Sequence, residues 1–149
     1  MTFTCLIAGQ PIIACAAFAA GLLLLTSGPG HAADQFPFDQ ELVLDAAPMR
    51  PAKRVPIVTV APDGKASIDL WCKSVGGKVE FADMAIKIET DPLPEALPDM
   101  MSDGQCTPQR LQADQDLLAA LAQVTSWRMQ DGALVLVGAK PLKFRPASN

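Results

Sequence analysis

The sequence predicts an α+β protein that is mostly β, in which an antiparallel, partly open barrel-like sheet carries one main amphipathic helix. Three observations predict this fold class. Short segments alternate apolar and polar residues as strands do, turn signals separate these segments, and a single stretch near Leu111–Val124 has the period of a helix. Strands and helices do not alternate as a parallel sheet requires, and 149 residues suit one domain.

The first 32 residues have the features of a signal peptide. An uncharged apolar run, Ile12–Leu25, precedes the small-residue site Gly30-His31-Ala32, so we expect cleavage after Ala32 and a periplasmic or secreted mature chain with no membrane span. Two alternatives stay open. Phe3–Leu25 approaches the about 20 apolar residues of a membrane span and would anchor the protein if it were not cleaved. The residues that end at Cys15 resemble a lipobox, which would make Cys15 an acylated N-terminus.

The composition of the mature chain excludes several function classes. All 12 Lys and Arg and all 16 Asp and Glu follow the leader, so the net charge stays at −4, which argues against nucleic acid as a partner. The single histidine, His31, lies in the leader, and the chain has no tyrosine. Without imidazole, histidine-activated nucleophiles and nearly every zinc site are lost. The sequence therefore predicts no catalytic residue, no cofactor and no metal, and we expect a monomer.

The remaining chain divides into three predicted parts: residues 33–54 as an N-terminal segment with one short strand, residues 55–145 as the main domain, and residues 146–149 as a tail. Residues 33–37 are expected to be a frayed remnant of the leader. The predicted strands are Glu41–Asp45, Val55–Val60, Ala66–Cys72, Val79–Phe81, Met84–Glu89, Ser126–Gln130, Ala133–Val137 and Lys140–Arg145.

The central strand, Ala66–Cys72, carries the residues that the sequence singles out. Asp63-Gly64 is a strong hairpin turn signal before it, and Gly76-Gly77 is predicted to form the turn after it. The alternation places Cys72 on the inner face of the strand and Trp71 on the outer face. An exposed tryptophan often marks a contact surface, so Trp71 is a candidate contact residue.

The helix follows a long acidic, proline-rich loop, Asp91–Gln105. Thr107 is placed to cap the helix and Pro108 suits its first turn. Asp114 and Asp116 give the helix an acidic start, which suits its macrodipole. The apolar positions at helical spacing are Leu111, Leu118, Leu121 and Val124, with Leu117 beside them.

The order of these elements is similar to that of a known family. The corresponding residues are Asp63-Gly64, Trp71-Cys72-Lys73 with Gly77, Met84–Glu89, Cys106, Asp116–Val124, Trp127–Leu136 and Leu142-Lys143-Phe144. Residues 55–145 thereby resemble a META domain, the small domain of HslJ-like bacterial heat-shock proteins, although Trp71 and Lys73 stand where the family has Gly and Asn. The resemblance implies an antiparallel barrel-like sheet with a packed helix, commonly secreted or membrane-attached, and no known enzyme activity.

Cys72 and Cys106 are predicted to form a structural disulfide. They are the two cysteines left after cleavage, export would take them to an oxidising compartment, and Cys72 is expected to face inward. Their wide spacing is unlike a Cys-x-x-Cys redox motif.

Three functional hypotheses follow. The first is an exported, non-enzymatic META/HslJ-like domain of the bacterial envelope that serves as a binding or stress-related module for an unknown envelope protein or lipid. The second is a pilot-like accessory protein whose sheet cradles a lipid or a partner helix. The third is a small envelope hydrolase that uses carboxylates, for which Asp99 and Asp103 are available acids. A packed interior favours the first, an apolar groove beside the helix the second, and convergent buried acids the third.

Overall fold

The computed structural model describes residues 36–50, 54–95, 101 and 106–148. The leader with its expected cleavage site, and Asp99 and Asp103 of the acidic loop, lie outside these residues. The elements are β1 (Leu42–Leu44), β2 (Ile57–Val60), β3 (Lys65–Asp69), β4 (Ser74–Ala82), β5 (Ala85–Thr90), α1 (Pro108–Leu121), β6 (Ser126–Gln130), β7 (Ala133–Val137) and β8 (Leu142–Pro146).

The eight described strands form a closed antiparallel barrel in which each strand pairs with its neighbour in sequence. Closure comes from β1, which pairs with β2 on one side and with β8 on the other, in the register Val43↔Arg145 and Leu44↔Phe144. The expectation of a partly open sheet is therefore wrong, because the short first strand bridges the two edges that would otherwise be free. The mostly β class and the single packed helix are confirmed for the described residues.

Two hairpin turns follow the local turn chemistry that the sequence predicted. Gly64 adopts φ +84° and its N–H donates to the Ala61 carbonyl at 2.9 Å, between β2 and β3. Asp131 and Gly132 both have positive φ, at 52° and 73°, as a two-residue turn with the twist of the flanking strands requires. The Asp-Gly pairs therefore mark the positions of both turns in the sequence.

The turn after β3 is displaced from the prediction. β3 ends at Asp69 and β4 begins at Ser74, so the chain turns over residues 70–73, and Gly76-Gly77 lie inside β4. A Cβ atom at Gly77 would come within 2.6 Å of the Glu89 carbonyl oxygen. These glycines therefore serve the close approach of β4 to the end of β5 rather than a change of direction.

The barrel interior is filled by side chains and sealed at both ends. The cavity at its centre measures only about 20 Å³, and both Phe36 and Leu121 line it. Phe36 lies before β1 and packs its ring 4.8 Å from Phe81 and 5.2 Å from Trp127. The expectation that residues 33–37 are frayed is wrong for Phe36 and Pro37, which are buried, because this aromatic cluster closes one end of the core.

Helix α1 seals the other end. Thr107 caps it as predicted, since its Oγ1 accepts the Arg110 N–H at 3.3 Å, and Pro108 occupies the first turn. The buried face of the helix differs from the predicted apolar stripe, because Leu111 and Leu118 are only half-buried. The fully buried positions are Arg110, Asp114, Leu117, Ala120 and Leu121. Among the described residues, no helix has the length and hydropathy to cross a membrane.

Candidate functional site

The carboxylate of Asp114 organises the region where α1 meets the barrel. Asp114 is completely buried, and its two oxygens accept the backbone N–H groups of three consecutive residues. The distances are 2.9 Å to Trp71, 3.2 Å to Cys72 and 3.1 Å to Lys73. These are the residues of the displaced turn, so Asp114 explains why the chain turns there rather than at the glycines: a helix side chain satisfies the N–H groups that a continued strand would have paired.

The surroundings of Asp114 have opposing effects on its pKa. Burial raises the pKa of Asp114 above its ordinary value, while the three backbone N–H groups and the charge of Arg110 act in the opposite direction. Arg110 lies one helical turn earlier on the same buried face. Burial lowers the pKa of its guanidinium, and the charge of Asp114 opposes that shift. The charges of these two buried residues therefore favour each other within the helix.

The structure brings Cys72 and Cys106 to disulfide distance. Their Cα atoms lie 5.1 Å apart, and both side chains are buried. Cys72 belongs to the turn that Asp114 holds, and Cys106 immediately precedes the N-cap of α1. The turn is therefore tied to the start of the helix by the cysteines and to its second turn by Asp114.

A groove of about 380 Å³ opens between α1, the β7–β8 connection and the end of β1. The indole of Trp71 and the side chains of Leu117 and Ala120 form an apolar floor. Its remaining lining residues are Leu44, Asp45, Ala46, Ala113, Asp116, Lys140, Pro141, Leu142 and Lys143. The volume lies within the about 300–1,000 Å³ of small-molecule sites, which also combine an apolar lining with a few polar groups. This groove is the candidate functional site.

Trp71 does not stand on an outer strand face as predicted. Since β3 ends at Asp69, Trp71 lies in the turn, where packing against the helix leaves its side chain only 9% exposed. Its indole N–H is buried without a hydrogen-bond partner among the described residues. The predicted exposure of Trp71 is therefore wrong, while its role as a contact residue stays a prediction. Trp71 lines the floor of the groove.

The charged side chains at the rim of the groove differ in whether they have a partner. Asp45 forms an ion pair with Arg145 at 2.8 Å, and Asp116 accepts the Gln112 side-chain amide at 2.9 Å. Lys140 and Lys143 form no ion pair with any residue that the structure describes. The cations that remain available at the groove are therefore these two lysines.

Sequence reasoning placed Asp114 in the acidic start of the helix and did not identify it as a buried carboxylate. One signal was present: Asp114 shares the helical spacing of Leu117 and Leu121, at three and seven residues, and Arg110 precedes it by four. A carboxylate on an apolar helix face needs buried donors. The sequence did not show that those donors would be backbone N–H groups some 40 residues earlier.

The Asp114 carboxylate is engaged in holding the turn. Both of its oxygens accept backbone N–H groups, those of Trp71, Cys72 and Lys73. Within the described ranges, no group of three or more His, Cys, Asp or Glu side chains is placed to hold a metal ion. The solvent-facing feature of this region is the groove, which has an apolar floor and two lysines at its edge.

The fold and the site together define a small antiparallel barrel domain that has a helix-lined groove and two cysteines at disulfide distance. The META domain family model matches residues 39–149, and the chain belongs to the META domain family.

Solved structures are similar to this chain at low sequence identity, and the two with TM-scores above 0.5 share its fold. A protein from Burkholderia xenovorans, solved by NMR, is 20% identical with a TM-score of 0.58, over 96% of this chain and 100% of that one. A second NMR structure is 14% identical with a TM-score of 0.54, over 76% of this chain and 92% of that one. A DUF4847 family protein from Bacteroides vulgatus is 13% identical with a TM-score of 0.44, over 60% of this chain, and this chain spans 57% of that protein. The comparison with curated protein sequences gave no match.

Proposed function

We propose that this META domain protein is an exported, non-enzymatic binding module of the bacterial cell envelope, and that it binds through the groove beside α1. The observation that carries the proposal is the contrast between two spaces. The barrel interior keeps only about 20 Å³, whereas the groove offers about 380 Å³ beside a buried tryptophan. A ligand therefore has room on the outside of the barrel and none within it.

Export is supported by the leader and by the cysteines. The apolar run Ile12–Leu25 and the site that ends at Ala32 are those of a signal peptide. Cys72 and Cys106 at disulfide distance suit an oxidising compartment. Intact mass of protein from the periplasmic fraction tests this part: a chain that begins at Ala33 is expected. A chain that retains Met1, or one acylated at Cys15, would assign it to the membrane instead.

A hydrolase is the less supported function. Asp114 is the one fully buried carboxylate among the described residues, and it is engaged by backbone donors rather than paired with a second acid. Ester, phosphate and glycoside panels are expected to give no turnover with the purified protein. Turnover that disappears on replacing Asp99 or Asp103 would restore the enzyme hypothesis.

The accessory-protein hypothesis is favoured by one observation, the apolar floor of the groove beside the helix. Such a floor suits an alkyl chain or the apolar face of a partner helix. The filled interior argues against a lipid inside the barrel. The accessory role therefore uses the same groove and differs in the identity of the occupant.

A matched pair of alanines on α1 tests the groove. Ala113 lines it, whereas Ala119 is exposed on the same helix and does not line it. Ala113→Trp is expected to fill the groove and to lose species that the wild-type protein retains from envelope extract, as measured by native mass spectrometry. Ala119→Trp should retain them. Equal retention by both variants would place binding elsewhere.

A further inference from the structure

We propose that the groove binds a single-chain aliphatic carboxylate, with its alkyl chain over Trp71 and Leu117 and its carboxylate between Lys140 and Lys143. This inference rests on the proposed function, because it names the class of ligand for the same groove. It commits to a small amphipathic anion rather than to a protein segment or a membrane surface.

The floor of the groove selects for an apolar body. Trp71 and Leu117 are only 9% and 5% exposed. They therefore form a smooth hydrophobic floor and do not protrude into the groove. Ala113 and Ala120 have small side chains, which leave the open volume between the helix and Leu142. An alkyl chain would replace water on this surface, which is favourable in proportion to the apolar area covered.

The rim of the groove selects for a negative head group. The groove lining carries two basic side chains, Lys140 and Lys143, and two acidic ones, Asp45 and Asp116. Arg145, which pairs with Asp45 beside the groove, brings the local net charge to 3 − 2 = +1, although the whole chain is at −4. Arg145 is already paired with Asp45. The positive charge thus resides on two lysines that lack an ion-pair partner among the described residues. Charge complementarity therefore favours one carboxylate at this end of the groove.

Three probes with the same ten-carbon chain separate the head-group charge from the chain: decanoate, decanol and decyltrimethylammonium. Decanoate and decyltrimethylammonium are titrated below their micelle concentrations, and decanol below its solubility limit, into isotope-labelled protein purified after export of the full chain. Binding is followed by amide and indole NMR shifts. Decanoate is expected to shift the Trp71 indole signal and the amides of 140–143, and to bind about tenfold more tightly than the other two probes. Equal binding of decyltrimethylammonium would overturn the proposal, as would shifts confined to other parts of the barrel.

Lysine variants test the head-group site with a matched control. Lys140→Gln/Lys143→Gln removes two rim charges, and Lys65→Gln/Lys78→Gln removes two charges from strands that do not line the groove. The rim variant is expected to weaken decanoate about tenfold, with a smaller salt dependence, whereas the control should match the wild type. All four lysines are at least partly solvent-exposed, so both variants should fold. Unchanged decanoate affinity in the rim variant would contradict the proposal.

The experiments distinguish a wrong ligand class from a wrong binding site. If Ala113→Trp loses captured envelope species but decanoate does not bind, groove binding stands and the ligand class is wrong. If Ala113→Trp retains the same envelope species as the wild type and decanoate does not shift the groove signals, both the ligand class and the proposed function are wrong. A captured protein rather than a small acid would likewise overturn this inference and support a partner segment in the groove.

Discussion

Replacing Asp114 by alanine should destabilise this protein more than replacing any other carboxylate among the described residues. The change leaves three buried backbone N–H groups, those of Trp71, Cys72 and Lys73, without their acceptor. Each buried donor left unsatisfied costs about 1–3 kcal/mol. Because the three share one acceptor and water can enter the vacated space, we expect a total of about 4 kcal/mol rather than the full sum. That is a large part of the about 5–15 kcal/mol that stabilises a domain.

Urea unfolding followed by circular dichroism measures this loss from the shift in midpoint. Asp114→Asn keeps the shape and one acceptor oxygen, so about 2 kcal/mol is expected. The matched control is Asp116→Ala, which removes an exposed carboxylate of the same helix that accepts only Gln112, and should cost less than about 0.5 kcal/mol. A loss below about 1 kcal/mol for Asp114→Ala would refute the assignment of the turn to this carboxylate.

Three further predictions concern the same region. Cys72→Ser and Cys106→Ser should each cost about 3–4 kcal/mol on the chain-entropy estimate, and the double variant should cost little more than either one; two free thiols in unreduced, denatured protein would contradict the bond. Because burial raises the pKa of Asp114 above 3.8, the folded state binds its proton more tightly than the unfolded state. The stability advantage of the wild type over Asp114→Asn should then be largest below that pH and shrink as the pH rises through the folded pKa; an advantage that grows with pH would show that the backbone donors outweigh burial. Gly77→Ala should cost about 1–3 kcal/mol in thermal unfolding, because its Cβ would meet the Glu89 carbonyl oxygen at 2.6 Å; an unchanged midpoint would mean that β4 and β5 can separate there.

Features determined by neighbouring residues could be predicted from the sequence. The Asp131-Gly132 turn, the two strands that flank it and the Thr107 cap each depend on a few adjacent residues, and the structure has them as predicted. Local turn chemistry and a capping hydroxyl act within about four residues, so no knowledge of the fold is needed.

Features determined by distant residues could not be predicted. Barrel closure depends on the pairing of β1 with β8, in which Val43 is opposite Arg145, 145 − 43 = 102 positions later. The position of the turn at residues 70–73 depends on Asp114, 41–43 positions later. The predicted orientation of Trp71 failed for the same reason, since strand alternation was extended past the point where the helix carboxylate ends it. Trp71 of that turn lines the groove, so the residues of the groove could not be assigned from the sequence, although a groove beside the helix was one hypothesis.

Site-specific photocrosslinking in living cells tests the central claim most directly, because it asks what lies in the groove in the native envelope. A benzophenone amino acid is introduced at Ala113, which lines the groove, or at Ala119, which is exposed and does not line it. Crosslinked adducts, resolved by intact mass, are expected at position 113 and not at position 119. Adducts at position 119 alone, or equally at both, would contradict binding through the groove.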